Sequence, residues 1–264
     1  MPLRVYTTGA LVLRRINLSE YDKILTLFTE ERGKLSAVAK GARKPVSRLA
    51  GATELFAHVR LQLAVGRSLD VVTQAETVDA FQLIRDDLGR IAYASVMAEL
   101  LDRFTEERDP HPDLFRLTLG SLRALAHAAH PDLQTHWFTL RLLAGVGYRP
   151  HLEDCVVGRE PVAGPGPVAF SPSHGGVVCG THRRGSADAI PVHPDTLSLA
   201  GALMRLAPEH EAALALLAPH APPARRRELD RLLTAHIQHR LERPIKSLDF
   251  LREVQAVYAA TAPR

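Results

Sequence analysis

The hydrophobic period of this chain changes once, near residue 80, and that change restricts the possible folds more than composition does. Before it, Leu55, Ala57, Val59, Leu61 and Leu63 fall on one side of the backbone and Phe56, His58, Arg60 and Gln62 on the other, the period of a half-buried strand. Similar runs stand at Ala10–Arg14, Lys23–Thr29, Leu35–Lys40 and Leu69–Glu76, punctuated by Gly33, Gly41, Gly51 and Gly66. Short strands at this density predict a small closed barrel over residues 1–80.

After residue 80 the spacing becomes helical. Tyr93, Val96, Met97, Leu100, Leu101 and Phe104 recur at three and four residues, which builds one apolar helix face. Phe115/Leu119/Leu122, Trp137/Leu140/Ala144, Leu199/Leu203/Leu206 and Leu229/Leu232/Leu233/Ile237/Leu241 repeat the pattern. Residues 147–192 interrupt it: they are rich in Gly and Pro and hold both cysteines, Cys155 and Cys179. The expected organisation is α+β and multidomain, with a five-stranded barrel at 1–80, an α-helical domain at 81–146 and 193–264, and a small zinc-finger-like insertion at 147–192.

The formal net charge is only +4, yet Arg32, Lys34, Lys40, Arg43, Lys44 and Arg48 lie together in a stretch without one acid. On composition alone such a run is most often a solvated face. Between barrel strands it becomes a cationic loop suited to a phosphate backbone, as in five-stranded oligonucleotide-binding (OB) barrels. Arg14 and Arg15 are consecutive strand residues, so one of them is expected on the outer face. The candidate DNA contacts are therefore Arg14, Arg15, Lys34, Lys40, Arg43, Lys44 and Arg48. Tyr6, Tyr21, Phe28 and Phe56 are the barrel's aromatics, and with Phe28 assigned to the core, binding should be phosphate-dominated and tolerant of base sequence. A second cationic segment, Arg225–Lys246, reads first as a solvated helix face, and His220, His236 and His239 read as surface residues.

Cys179-x-x-His182 has the spacing of half a zinc knuckle around Gly180. The matching half begins at Cys155, but Gly158 stands where its second ligand belongs. His151, Asp154, Glu160 or His174 can complete the four donors of a structural zinc, and His151 is favoured. The competing reading is a metal-free remnant with two free thiols. No H-E-x-x-H, phosphate-binding P-loop, G-x-G-x-x-G or G-x-S-x-G motif occurs, so neither catalytic zinc nor nucleotide hydrolysis has a signature. Two cysteines make no disulfide framework, and no signal-peptide pattern or long apolar run appears; the expectation is a cytoplasmic protein with no membrane partner.

Residues 9–56, GALVLRRINLSEYDKILTLFTEERGKLSAVAKGARKPVSRLAGATELF, closely resemble the N-terminal domain of the RecO family of bacterial DNA repair proteins. Later landmarks extend the resemblance over nearly the whole chain: LDVVTQAE at 69–76, GYRPHLEDC at 147–155, FSPSHGGVVCGTH at 170–182 and RPIKSLDFL at 243–251. It implies an OB barrel, a helical domain and an insertion that in many members carries two C-x-x-C pairs. Cys155 and Cys179 match the first cysteine of each pair, while Gly158 and His182 replace the second. It further implies a non-enzymatic recombination mediator that binds single- and double-stranded DNA and anneals complementary strands. Such a mediator assists loading of the RecA recombinase onto strands coated by single-strand-binding protein, with RecR and the acidic tail of that protein as partners. Two readings from other classes compete: a zinc-dependent nuclease or other metalloenzyme centred on the insertion, and a structural adaptor acting through its helices.

Overall fold

The computed structural model describes residues 4–162, 167–207 and 211–261. Its contacts divide the chain into two compact units, one of residues up to 127 together with 247 onward, the other of 128–246.

The first unit begins with five strands, β1 (Val5–Asn17), β2 (Lys23–Thr29), β3 (Gly33–Ala39), β4 (His58–Ala64) and β5 (Asp70–Asp79). They close into a barrel of order β1-β2-β3-β5-β4, the OB arrangement expected from the sequence. A bulge between Val12 and Arg14 lets the long β1 pair with β4 along its first half and β2 along its second. Alternation supplies the interior: Ala10, Val12, Leu25, Leu27, Leu35, Ala37, Ala39, Val59, Leu61 and Leu63 form one buried cluster. The residues of the opposite pleat on β1 and β2, Leu11 and Phe28, are cross-strand partners and are also fully buried. They are covered by helices α2 (Leu88–Phe104) and α3 (Pro112–His127), which follow the short α1 (Gln82–Arg85). Phe56, placed by its period on the outer face, is buried at 3% exposure with φ 68°, because a tight turn at Gly51–Thr53 delays β4 to His58.

The second unit is built on α4 (Pro131–Gly145), wrapped on every side by neighbours, with every residue from Leu133 to Leu143 buried except Arg141. The insertion forms a small sheet of β6 (Val168–Ser171), β7 (Gly176–Cys179) and β8 (Ile190–Val192), in order β7-β6-β8. Then come α5 (Pro194–Arg205), α6 (Glu211–Leu217) and α7 (Pro223–Leu241). Glu228 of α7 accepts hydrogen bonds from the His193 amide and the Thr196 hydroxyl, capping the start of α5. His236, expected at the surface, is 1% exposed: its ring sits edge-on to Phe170 and its Nε2 lies 2.9 Å from the Tyr148 carbonyl oxygen. The chain then returns to the first unit as α8 (Lys246–Thr261). There the Ser247 amide donates to Glu99 on α2 at 2.8 Å. No helix among the described residues is long and apolar enough to cross a membrane.

Candidate functional site

The cationic surface of the barrel is assembled at one corner. Gly41, at φ 66°, turns the chain out of β3 into the basic loop. That loop is then fastened to the β1–β2 turn: the Arg43 amide donates to the Tyr21 carbonyl at 3.0 Å, its guanidinium to the Ser19 carbonyl at 2.8 Å, and the Gly41 amide to the Asp22 carboxylate at 2.8 Å. Lys40, Arg43, Lys44 and Arg48 are all exposed, and no ion pair holds any of them among the described residues. Tyr21 is 43% exposed beneath the Lys44 ammonium, which lies 5.7 Å from the ring centroid. Leu18 in the same turn and Val46 in the loop are exposed at 52% and 95%.

Of the other three expected contacts, Arg14 resembles these four and Arg15 and Lys34 do not. Arg14 and Arg15 both reach the surface because the bulge breaks strict alternation. Arg15 is held by Glu54, which also receives Lys23 at 3.2 Å and Arg85 at 3.3 Å, whereas Arg14 has no acidic partner among the described residues. Lys34 is engaged within the fold. Its side chain is 17% exposed, and its ammonium pairs with the Asp102 carboxylate at 3.2 Å and donates to the Asp102 carbonyl, tying β3 to the end of α2. An ammonium so engaged cannot neutralise a phosphate without losing that tie. The remaining aromatics are committed as well: Phe28 and Phe56 are buried, while Tyr6 donates to Asp70 and is covered by the Arg32 guanidinium at 4.0 Å.

The insertion gathers a second group. One donor atom each of Cys155, Glu160, Cys179 and His182 lies within 4.8 Å of the other three. His182 Nδ1 is 3.5 Å from Cys155 Sγ and 3.3 Å from Cys179 Sγ, and Glu160 Oε1 is 3.1 Å from Cys179 Sγ. Amides of Gly158 and Cys179 point at Cys155 Sγ from 3.5 and 3.4 Å. Burial works to raise the Cys155 thiol, but the amides of Cys179, Gly158 and Val157 outweigh it and bring the group down to about 7. The Cys179 side chain first, and His182 beside it, hold the Glu160 carboxyl below the ordinary range. Two soft sulfurs, an imidazole and a carboxylate are a donor set that fits a divalent metal such as zinc. His151, favoured as the fourth ligand, is not in this group; its Nε2 accepts from the Asp154 amide at 3.3 Å.

Between the insertion and α5 lies a cavity of about 660 Å³, with Arg149 and Arg205 beside an apolar wall of Leu152, Val168, Leu197 and Met204. Neither arginine drew notice in the sequence, since each stands outside a basic run. The arginines of α7 that did are partly spent internally: Arg226 pairs with Asp132 at 3.4 Å and donates to the Ala218 and Ala221 carbonyls, and Arg225 pairs with Glu228.

Comparison with known proteins decides the family. Residues 1–81 match the family model described as Recombination protein O N terminal, and residues 85–249 the one described as Recombination protein O C terminal. The chain belongs to the RecO family. Among curated RecO relatives, the DNA repair protein RecO of Roseiflexus sp. (strain RS-1) is 38% identical over 98% of this chain and 89% of its own length. That of Symbiobacterium thermophilum is 38% identical over 94% and 97%, and that of Nocardioides sp. 39% identical over 94% and 99%.

Proposed function

We propose that this RecO-family chain is a cytoplasmic, non-enzymatic recombination mediator. It binds single- and double-stranded DNA, anneals complementary strands and assists loading of RecA onto strands coated by single-strand-binding protein, with RecR as a partner. In this reading residues 1–80 are the DNA-binding domain, 81–146 with 193–264 the helical domain and 147–192 a zinc-bearing insertion.

The observation that carries the proposal is the set of Arg14, Lys40, Arg43, Lys44 and Arg48, exposed and without acidic partners among the described residues, four of them on a loop pinned to the β1–β2 turn. Such a surface reads phosphates and leaves base edges open for pairing. Lys40→Glu, Arg43→Glu and Lys44→Glu together should weaken DNA binding. They should also flatten the log–log salt dependence by about 0.7 per lost contact on single strands. Unchanged affinity and slope in an anisotropy titration would reject this surface.

Cys155, Cys179 and His182 would hold the zinc, whose chemistry there is to cross-link the insertion. Together with Glu160 they would offer four donor groups, the number a structural zinc takes, which favours a structural over a nuclease role. The cavity beside Arg149 and Arg205 pairs two guanidinium groups with an apolar wall, chemistry suited to an acidic protein tail. Reversing both arginines should abolish binding of a tail peptide while leaving DNA affinity intact.

A further inference from the structure

We infer that in this chain the fourth metal ligand has moved from position 158 to the Glu160 carboxylate, and that residue 158 is glycine because this carboxylate occupies its side-chain space. The inference rests on the zinc reading of the insertion and adds which residue completes the site and what its presence demands of a neighbour.

The backbone does not require glycine at 158. Its φ lies outside the left-handed region, unlike those of Gly33, Gly41, Gly147 and Gly175, so other residues fit the local conformation. What a larger residue meets is the cluster itself: a Cβ at 158 would overlap Glu160 Oε2 and His182 Cε1. Both are side-chain atoms, so any side chain at 158 displaces them rather than the main chain.

The next residue shows how the carboxylate arrives. Arg159 adopts φ 64°, a conformation uncommon for a residue with a Cβ, and its amide donates to the Cys155 carbonyl at 2.8 Å. This turn brings residue 160 back over Cys155, where Glu160 Oε1 stands 3.3 Å from His182 Nδ1 and 3.1 Å from Cys179 Sγ. A cysteine at 158 and the carboxylate of Glu160 therefore compete for one corner of the tetrahedron. Removing the first is what gives the second its place.

Full-length protein, stripped of metal and titrated with cobalt(II) and then zinc against a competing chelator, tests the assignment. Wild type should take up one equivalent and show sulfur-to-cobalt charge transfer from two thiolates. Glu160→Ala should lose more than about 100-fold in affinity, beyond the range typical of residues that merely support a ligand. His151→Ala should bind as wild type. Gly158→Ala should weaken binding despite its compatible backbone, and Gly158→Cys with Glu160→Ala, in which the His182 ring alone must still yield to the new Cβ, should recover binding with a third thiolate in the spectrum. Should Glu160→Ala fail to fold, that double variant decides: recovery of fold and metal supports the exchange, and continued failure overturns it. If wild type takes up no stoichiometric metal, the zinc reading itself fails. If wild type and Glu160→Ala bind equally, zinc stands and the ligand assignment falls.

Discussion

Two lysines of one basic run, six residues apart, have opposite fates. Lys40 stands in solvent and Lys34 is locked to Asp102, a partner 68 residues further on that no local pattern reveals. Lys34→Ala should therefore cost stability, about 1–3 kcal/mol for a charged hydrogen bond lost from a half-buried site. In urea titration the midpoint should fall, while the salt slope of DNA binding stays that of wild type. Tyr21 presents the reverse case, an aromatic with an open ring where Tyr6, Phe28 and Phe56 are committed elsewhere. Tyr21→Ala should lower single-strand affinity by about 1–3 kcal/mol at an unchanged salt slope, since stacking rather than charge is removed. Equal binding of normal and abasic oligonucleotides by wild type would argue against that role. The carboxylate of the cysteine cluster is hard to foresee for a related reason. Glu160, one of four candidates in the sequence, reaches the cluster through a left-handed turn at Arg159 that a residue with a Cβ does not announce, whereas His151 stands outside it.

Elements were legible where one physical signal ran uninterrupted. Lys23–Thr29 was read with its observed limits because alternation and flanking turns coincide there. The fourth strand was read too early because Leu55 and Phe56 continue the alternation on paper, while the backbone at Phe56 turns to positive φ. The helical faces of α2, α3, α4, α5 and α7 are legible in the sequence while α8 carries no pattern singled out there, and α4 is enclosed on all sides and so shows little polar contrast to define its surroundings. Glu54, between the short turn and β4, gathers Arg15, Lys23 and Arg85. Burial alone would raise its carboxyl, but Lys23 and Arg15 prevail and lower it. A carboxyl depressed on folding stabilises above its unfolded pKa, and that contribution disappears as pH falls through the folded one. Glu54→Gln should thus reduce stability near neutral pH and shrink the difference from wild type in acid, measured as thermal midpoints from pH 7 down to pH 3.

At the scale of the molecule, the first unit is discontinuous in sequence. Its barrel relies on α2 and α3 to cover Leu11 and Phe28, and α8 buries Leu248, Leu251 and Val254. A chain cut after residue 246 should lose protection first in α2, whose Glu99 holds the Ser247 amide, before α4 or α7. Hydrogen exchange resolved by peptide would register this; earlier loss in α7 would contradict it. Residues 1–80 alone would expose the outer pleat of β1 and β2, so an isolated barrel should be less soluble than one extended through α3. The return of the chain also sets an order of assembly during synthesis. Residues 128–246 are continuous and complete their contacts as they emerge, whereas the unit bearing the cationic loop waits for residue 261, at ribosomal rates several seconds or more after its own barrel has appeared. A nascent chain thus carries its exposed cationic loop on an unfinished support until α8 has emerged, so the unit that starts first in sequence is the later of the two to gain its full set of contacts.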